Sequence, residues 1–141
     1  MVIDLCSRKI VGWSLAVHLR AELVADALKQ ALGSRRALPG MVFHSARGSQ
    51  YGSGIYRTLL RDSGMRQSMS APANPYHNAW TESFIGTLKT EMLHDGSFIA
   101  RADARIELSA YIESYYNTHR KHSSLGYKTP ASFEAFIHAN N

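Results

Sequence analysis

The spacing of apolar positions changes along the chain, and each change predicts an element. Met1 to Leu5 is apolar except for Asp4, and Ser7-Arg8-Lys9 is polar. From Ile10 to Val17 the residues Val11, Trp13, Leu15 and Val17 recur at period two, so the N-terminal stretch predicts a β-hairpin. Between Arg20 and Leu32 the period becomes helical, with Leu23, Val24, Ala27, Leu28, Ala31 and Leu32 on one face. Gly33 follows where a left-handed helix cap costs least. Ala37-Leu38-Pro39-Gly40 predicts a turn and Met41 to Ser45 a short strand. A polar, glycine-rich loop from Arg47 to Gly54 leads to a short helix carrying Ile55, Tyr56, Leu59 and Leu60 and ending at Gly64. Arg66 to Ser70 fits a brief strand, and Ala71-Pro72-Ala73-Asn74-Pro75 breaks regular structure.

The second half is helical by pattern. Asn78 to Met92 carries Trp80, Phe84, Ile85, Leu88 and Met92, and Arg101 to Asn117 carries Ile106, Leu108, Tyr111, Ile112, Tyr115 and Tyr116. Thr129-Pro130 is an N-cap with proline at the first helical position, opening a last helix with Phe133, Phe136 and Ile137. Strands first and helices later, with one helix between the hairpin and the third strand, predict an α/β layered domain. No repeat, low-complexity tract or internal linker interrupts it, so residues 1–141 are expected to be one domain.

Composition narrows the class. The chain is 45% hydrophobic and 19% charged, the balance of a globular protein rather than a disordered one. A single cysteine, Cys6, excludes an internal disulfide framework and suits a reducing cytoplasm; on its apolar run it is expected to be a small buried hydrophobe. No apolar run approaches the ~20 residues of a membrane span, and the N-terminal residues do not show the basic region and apolar segment of a secretory signal. A net charge of +5 favours polyanionic partners.

Two motifs carry the candidate chemistry. His44-Ser45-Ala46-Arg47-Gly48-Ser49-Gln50-Tyr51 is followed by Asn78-Ala79-Trp80-Thr81-Glu82-Ser83-Phe84, with 35 residues between Ala46 and Glu82. The pair resembles the second half of the D,D-35-E signature of DDE transposases and retroviral-type integrases, and most of all the "HSDRGSQY" and "NAxxESF" segments of insertion-sequence transposases of the IS3 type. Val2-Ile3-Asp4-Leu5-Cys6-Ser7-Arg8 resembles the "VIDLFSR" second strand and turn of that family. Tyr116-Asn117-x-x-Arg120-x-His122-x-x-Leu125-Gly126-Tyr127-x-x-Pro130 resembles its C-terminal "YNxxRxHxxLGYxxP" element.

The resemblance implies an RNase H-like catalytic core for DNA transposition or integration, in which two aspartates and one glutamate hold Mg2+ or Mn2+ for strand cleavage and transfer. Divalent metals activate the attacking hydroxyl and stabilise the leaving oxygen, and magnesium asks for hard oxygen ligands around an open site. Glu82 fits the glutamate. Ala46 stands at the second aspartate and offers no oxygen, and the first aspartate belongs to a central strand expected upstream of Met1. Asp4 matches the family's second strand, where it is expected to cap a turn rather than bind metal. Glu82 alone cannot hold two hard cations, so stable metal binding is not expected and the core is expected to be catalytically defective.

The resemblance further implies DNA as partner, at transposon ends and target. Lys89 lies seven residues after Glu82, about two helical turns, where the family has a basic residue that meets DNA beside the active site. Arg47, Arg120, Lys121, His122 and Lys128 are further candidates for phosphate contact, with flanking tyrosines packing or stacking. His77 replaces the aspartate usual before Asn-Ala. His119 and His122, three apart, lack the further ligands of a metal site, and Ser45 and Ser49 lack a base-and-oxyanion arrangement. A sheet without its central strand leaves edges to be paired, so a homo-oligomer or strand pairing with a second chain is expected. The implied location is the bacterial cytoplasm, at the nucleoid. The competing reading is a non-catalytic DNA-binding or oligomerisation module that modulates an intact transposase; an unrelated RNA-binding protein is disfavoured because helix-turn-helix, zinc-finger and RNP signatures are absent.

Overall fold

The hairpin is shorter than the alternation suggests. In the computed structural model, which describes residues 1–72, 74–92 and 101–140, β1 (Val2–Ile3) pairs with β2 (Ile10–Gly12). Beyond Gly12 the Trp13 amide donates to the Gln30 side chain (2.6 Å) instead of to a strand, and Val17 is left 72% exposed. The turn between the strands is made by Asp4. Its Oδ1 accepts from the Cys6 and Ser7 amides at 2.8 and 3.0 Å, and the Arg8 amide closes onto the Asp4 carbonyl at 2.8 Å. Arg8 takes a left-handed φ of 62° there. Cys6 rides on this turn and is exposed, which corrects the expectation of burial: the residue belongs to the turn and not to the apolar strand before it.

The chain divides into two compact units, Met1–Val2 with Val11–Glu82 and Ile3–Ile10 with Ser83–Asn141. In the first, α1 (Ala21–Ser34) packs so closely on β2 that a Cβ at Gly12 would collide with the Ala27 carbonyl and lie 2.7 Å from the Ala31 nitrogen. Gly33 is helical rather than a cap, because α1 runs on to Ser34, whose Oγ lies 2.9 Å from the Ala31 carbonyl and 3.0 Å from that of Val11. The left-handed cap is found at Gly64 instead (φ 72°), after α2 (Gly54–Asp62). Ser53 caps the start of α2 by accepting from the Tyr56 amide. Gly40 (φ 80°) after Pro39 closes a turn in which the Met41 amide reaches the Leu38 carbonyl. β3 (Val42–Ser45) and β4 (Arg66–Met69) then run parallel, with Val42 opposite Arg66 and Ser45 opposite Met69. Leu28, Tyr56 and Leu60 form the core of this unit, flanked by Val24, Leu32, Phe43, Tyr51, Leu59 and Met65. Among the described residues the strands make two separate two-stranded sheets, β1-β2 and β3-β4.

The second unit is built on α3 (Ala79–Met92) from Ser83 onward, α4 (Arg101–Ser109) and α5 (Pro130–Ala139). The helix expected from Arg101 to Asn117 is α-helical only to Ser109 and continues as a π-helix, Ala110–Tyr116. The wider turn suits residues that sit five apart: Tyr111 and Tyr116 are both buried, and the Asn117 amide donates to the Ile112 carbonyl at 3.0 Å. Thr129 and Ser132 form a reciprocal capping box for α5, with Pro130 buried at its first turn.

Candidate functional site

The segment that carries the first motif is fastened on both sides. Ser45 is buried at the end of β3, and its carbonyl accepts from the Ser70 amide (2.9 Å) and hydroxyl (3.2 Å). The His44 ring lies across β4, with Nδ1 2.9 Å from Ser68 Oγ and Nε2 3.2 Å from Ser70 Oγ. Arg47 Nε donates to the Ser70 carbonyl at 3.0 Å. Position 46 is therefore fixed by its neighbours before and after, yet it is a half-buried methyl group.

Glu82 lies in the first turn of α3, where a carboxylate is favoured by the helix dipole, and it is exposed. Its orientation follows from Phe84. That ring is 3% exposed and meets Tyr116 edge to face at 4.9 Å. Two residues are about 200° of helix rotation, so burying Phe84 turns Glu82 outward, and Lys89, near two full turns on, shares the Glu82 face and is exposed. The side chain of His77 lies outside the described residues.

Among the described residues the donors near position 46 do not make up a metal centre. Ala46 has no ligand atom, and Asp4 Oδ1 is engaged by two turn amides. Among the described residues no group of three or more His, Cys, Asp and Glu side chains is arranged to hold a metal ion. His119 and His122 diverge: His119 Nδ1 lies 2.6 Å from the Ser114 carbonyl, while the His122 ring packs edge to face on Tyr116 at 5.1 Å.

The C-terminal motif is a packed polar cluster within the second unit. Glu91 is its anion: Arg120 Nε donates to both its oxygens (2.9 and 3.1 Å), and Tyr111 Oη donates to Oε2 at 2.7 Å. The Arg120 guanidinium also lies 5.9 Å from the Tyr116 ring centre. Burial first, and then the Glu91 hydrogen bond, push the Tyr111 phenol well above its ordinary range, and burial also raises Tyr116. His122 is lowered from its ordinary value by burial and then by the Arg120 and Arg8 cations, so its neutral form is favoured. Asn117 is a two-way bracket for β2: its Oδ1 accepts from the Ile10 amide and its Nδ2 donates to the Ile10 carbonyl, both at 3.0 Å. Its own carbonyl accepts from Ala131 at the start of α5. Lys9 and Ser7 of the hairpin turn reach Glu134 of α5 at 2.8 and 3.2 Å.

The candidate cations therefore differ in kind. Arg120 and His122 are brought together and are occupied with Glu91 and Tyr116, and Arg47 is held by Ser70. Lys89, Lys121 and Lys128 are exposed, and the Lys128 ammonium sits 5.1 Å over the Phe136 ring. Asn117 shows in the sequence only as a member of the C-terminal motif, and Glu91 and Glu134 carry no local signal, since the partners of the three are 107, 29 and 125 residues away.

Comparison with known proteins accords with this geometry. Two family profiles described as "Integrase core domain" match residues 1–75 and 63–130. The transposase for insertion sequence element IS904 of Lactococcus lactis subsp. lactis (strain IL1403) is 48% identical over 95% of this chain and 53% of its own length. Transposase InsF for insertion sequence IS3A of Escherichia coli (strain K12) is 42% identical over 95% of this chain and 46% of its own length. The chain thus spans about half the length of these relatives. The catalytic core domain of BIV integrase superposes with a TM-score of 0.59 at 20% identity, covering 89% of this chain and 78% of that one, a likeness of fold: the α/β, RNase H-like fold of integrase cores. With insertion-sequence transposases as its relatives in sequence and an integrase core as its likeness in shape, the chain belongs to the integrase core domain family.

Proposed function

We propose that this chain is the catalytic-core region of an insertion-sequence DDE transposase that engages DNA but does not itself perform metal-dependent strand cleavage and transfer. One observation carries the reading: position 46 is held in place by the His44, Ser45 and Arg47 hydrogen bonds to Ser70, just past the end of β4, and presents a methyl group where the chemistry asks for a carboxylate. Glu82 alone gives two divalent cations too few ligands, so no step through a metal is assigned to this chain. Even three decades of rate lost with that site correspond to about 4 kcal/mol of barrier, more than phosphate positioning alone replaces.

DNA is engaged through phosphate contacts from Lys89, Lys121 and Lys128, whose exposure supports that role, with Arg47, Arg120 and His122 shaping the surface around them. The setting is the bacterial cytoplasm, at the nucleoid. No helix among the described residues is long and apolar enough to cross a membrane. Pairing with a further strand, from a second copy or another segment, is part of the reading. The Arg66 amide bonds the Met41 carbonyl and the Ser70 amide bonds that of Ser45. Parallel pairing therefore turns the Val42 backbone away from β4, on an edge where Val42 is 57% exposed.

The test is a binding titration on duplex DNA with a cleavage assay alongside. Neutralising about three phosphates gives a log–log salt slope of about −2.7, so affinity should fall about 40-fold between about 50 and 200 mM salt. No cleavage of a labelled transposon-end duplex is expected in Mg2+ or Mn2+. Salt-independent binding would refute the DNA interface, and metal-dependent turnover would refute the catalytic defect.

A further inference from the structure

The turn between Leu125 and Lys128 has a residue choice that folding does not explain. Gly126 has φ 62° and ψ 40°, Tyr127 has φ 59°, and the Lys128 amide donates to the Leu125 carbonyl at 3.3 Å, which makes a type I′ turn. Glycine or asparagine is favoured at its second central position, and a bulky aromatic there is an outlier. The turn is nonetheless firmly closed. The Tyr127 amide donates to the His122 carbonyl (2.9 Å), the His122 amide donates to the Lys128 carbonyl (3.1 Å), and Leu125 is 5% exposed beneath. Tyr127 itself is 72% exposed. A side chain kept against its backbone preference, without burial in return, points to a contact outside the chain.

The surroundings specify that contact. From Ser114 to Phe133 the chain has no aspartate or glutamate, while Lys121 and Lys128 are exposed on either side of the bridge that closes the turn. Lys128 follows Tyr127 directly in the chain, and its ammonium lies 5.1 Å from the centre of the Phe136 ring. An exposed aromatic side chain on a closed turn, with exposed lysines next to that turn in the chain, suits stacking of an unpaired base while the cations take the flanking phosphates. We propose that Tyr127 is a stacking platform for an unpaired base of DNA. The proposal rests on the DNA-binding reading above and adds a residue and a preference for unpaired over fully paired DNA.

The experiment uses the full chain with a single-stranded oligonucleotide carrying one 2-aminopurine and with a fully paired duplex, across wild type, Tyr127→Gly and Tyr127→Trp. Tyr127→Gly should hold or raise the melting temperature, because it relieves the left-handed φ. It should weaken single-strand binding about tenfold and abolish the stacking quench of 2-aminopurine, with duplex affinity within about twofold. Tyr127→Trp should retain both affinity and quench. If wild type binds DNA in a salt-dependent way but Tyr127→Gly leaves single-strand affinity and quench unchanged, the stacking role is overturned and the DNA reading stands. If wild type binds neither DNA, both fall. Equal loss on both DNAs without a change in quench would make Tyr127 a mere shape element of the surface, which also overturns the proposal.

Discussion

Replacing Asn117 by alanine should be among the most damaging single changes in the chain. The side chain is 6% exposed and serves both backbone groups of Ile10, itself 4% exposed, at 3.0 Å each. Alanine removes two hydrogen bonds worth ~0.5–1.5 kcal/mol net apiece and leaves a buried amide and a buried carbonyl to bear part of a desolvation cost of ~1–3 kcal/mol each. Some relaxation is inevitable, so about 3–4 kcal/mol is the expected loss. That is a large part of the ~5–15 kcal/mol available to a domain. At roughly 3 °C per kcal/mol for a chain of this size, the melting temperature should fall by about 10 °C. Asn117→Asp sharpens the test: it keeps the acceptor for the Ile10 amide but sets a carboxylate oxygen against the Ile10 carbonyl. It should therefore be at least as damaging as alanine. The assay is urea denaturation followed by circular dichroism, with the midpoint and slope fitted separately. A loss below ~1 kcal/mol at unchanged slope, or an aspartate variant as stable as wild type, would refute the bracket.

Three further outcomes follow from the packing. Gly12→Ala should destabilise by about 1–3 kcal/mol in the same denaturation assay, since the new Cβ meets the backbone of α1 at Ala27 and Ala31 and not a flexible side chain. His122 is held neutral by burial and by the Arg120 and Arg8 cations, so its folded pKa lies below the unfolded value. Its contribution is intact above the unfolded pKa of about 6.5 and is lost as pH falls through the folded value; His122→Gln should flatten stability against pH below that point. Ala46→Asp adds one oxygen ligand, giving at most weak Mn2+ binding by calorimetry and no DNA cleavage; robust turnover would mean that another acid, Asp4 first, acts as a ligand.

What was legible in the sequence is what depends on period and on local chemistry. α1, α3 and α5 follow from spacing, and Thr129-Pro130 announces a cap because its partner, Ser132, is three residues away. Asp4 likewise reaches amides two and three residues on, so its turn role is readable. The π-helix was not, because Tyr111, Tyr115 and Tyr116 satisfy a 3.6-residue pattern as well as a wider one; only the packing of Tyr111 and Tyr116 together chooses. β2 ends at Gly12, short of its alternation, for a related reason: alternation specifies which way a side chain points, not whether a neighbouring strand exists to pair. The candidate cations look alike in sequence and differ in packing. Arg120 and Lys121 are adjacent, yet Glu91, 29 residues from Arg120, pairs with the first and leaves the second exposed.

Positions 46 and 127 are opposite departures from what the backbone asks, and together they suggest which functions persist. At 46 the strand end is held by the His44, Ser45 and Arg47 hydrogen bonds to Ser70, while the side chain is a methyl group where the proposed chemistry would ask for a carboxylate. Stability alone explains that framework, because Ser45 and Ser70 are buried and must be satisfied whatever the residue between them does. At 127 the case reverses. The left-handed φ makes glycine the inexpensive choice, and the 72%-exposed ring has little burial to offset the cost. Folding would keep the first arrangement without any function, whereas it gives no reason to keep the second. The surface around Lys121, Tyr127 and Lys128 is therefore where the proposed DNA engagement is to be tested first.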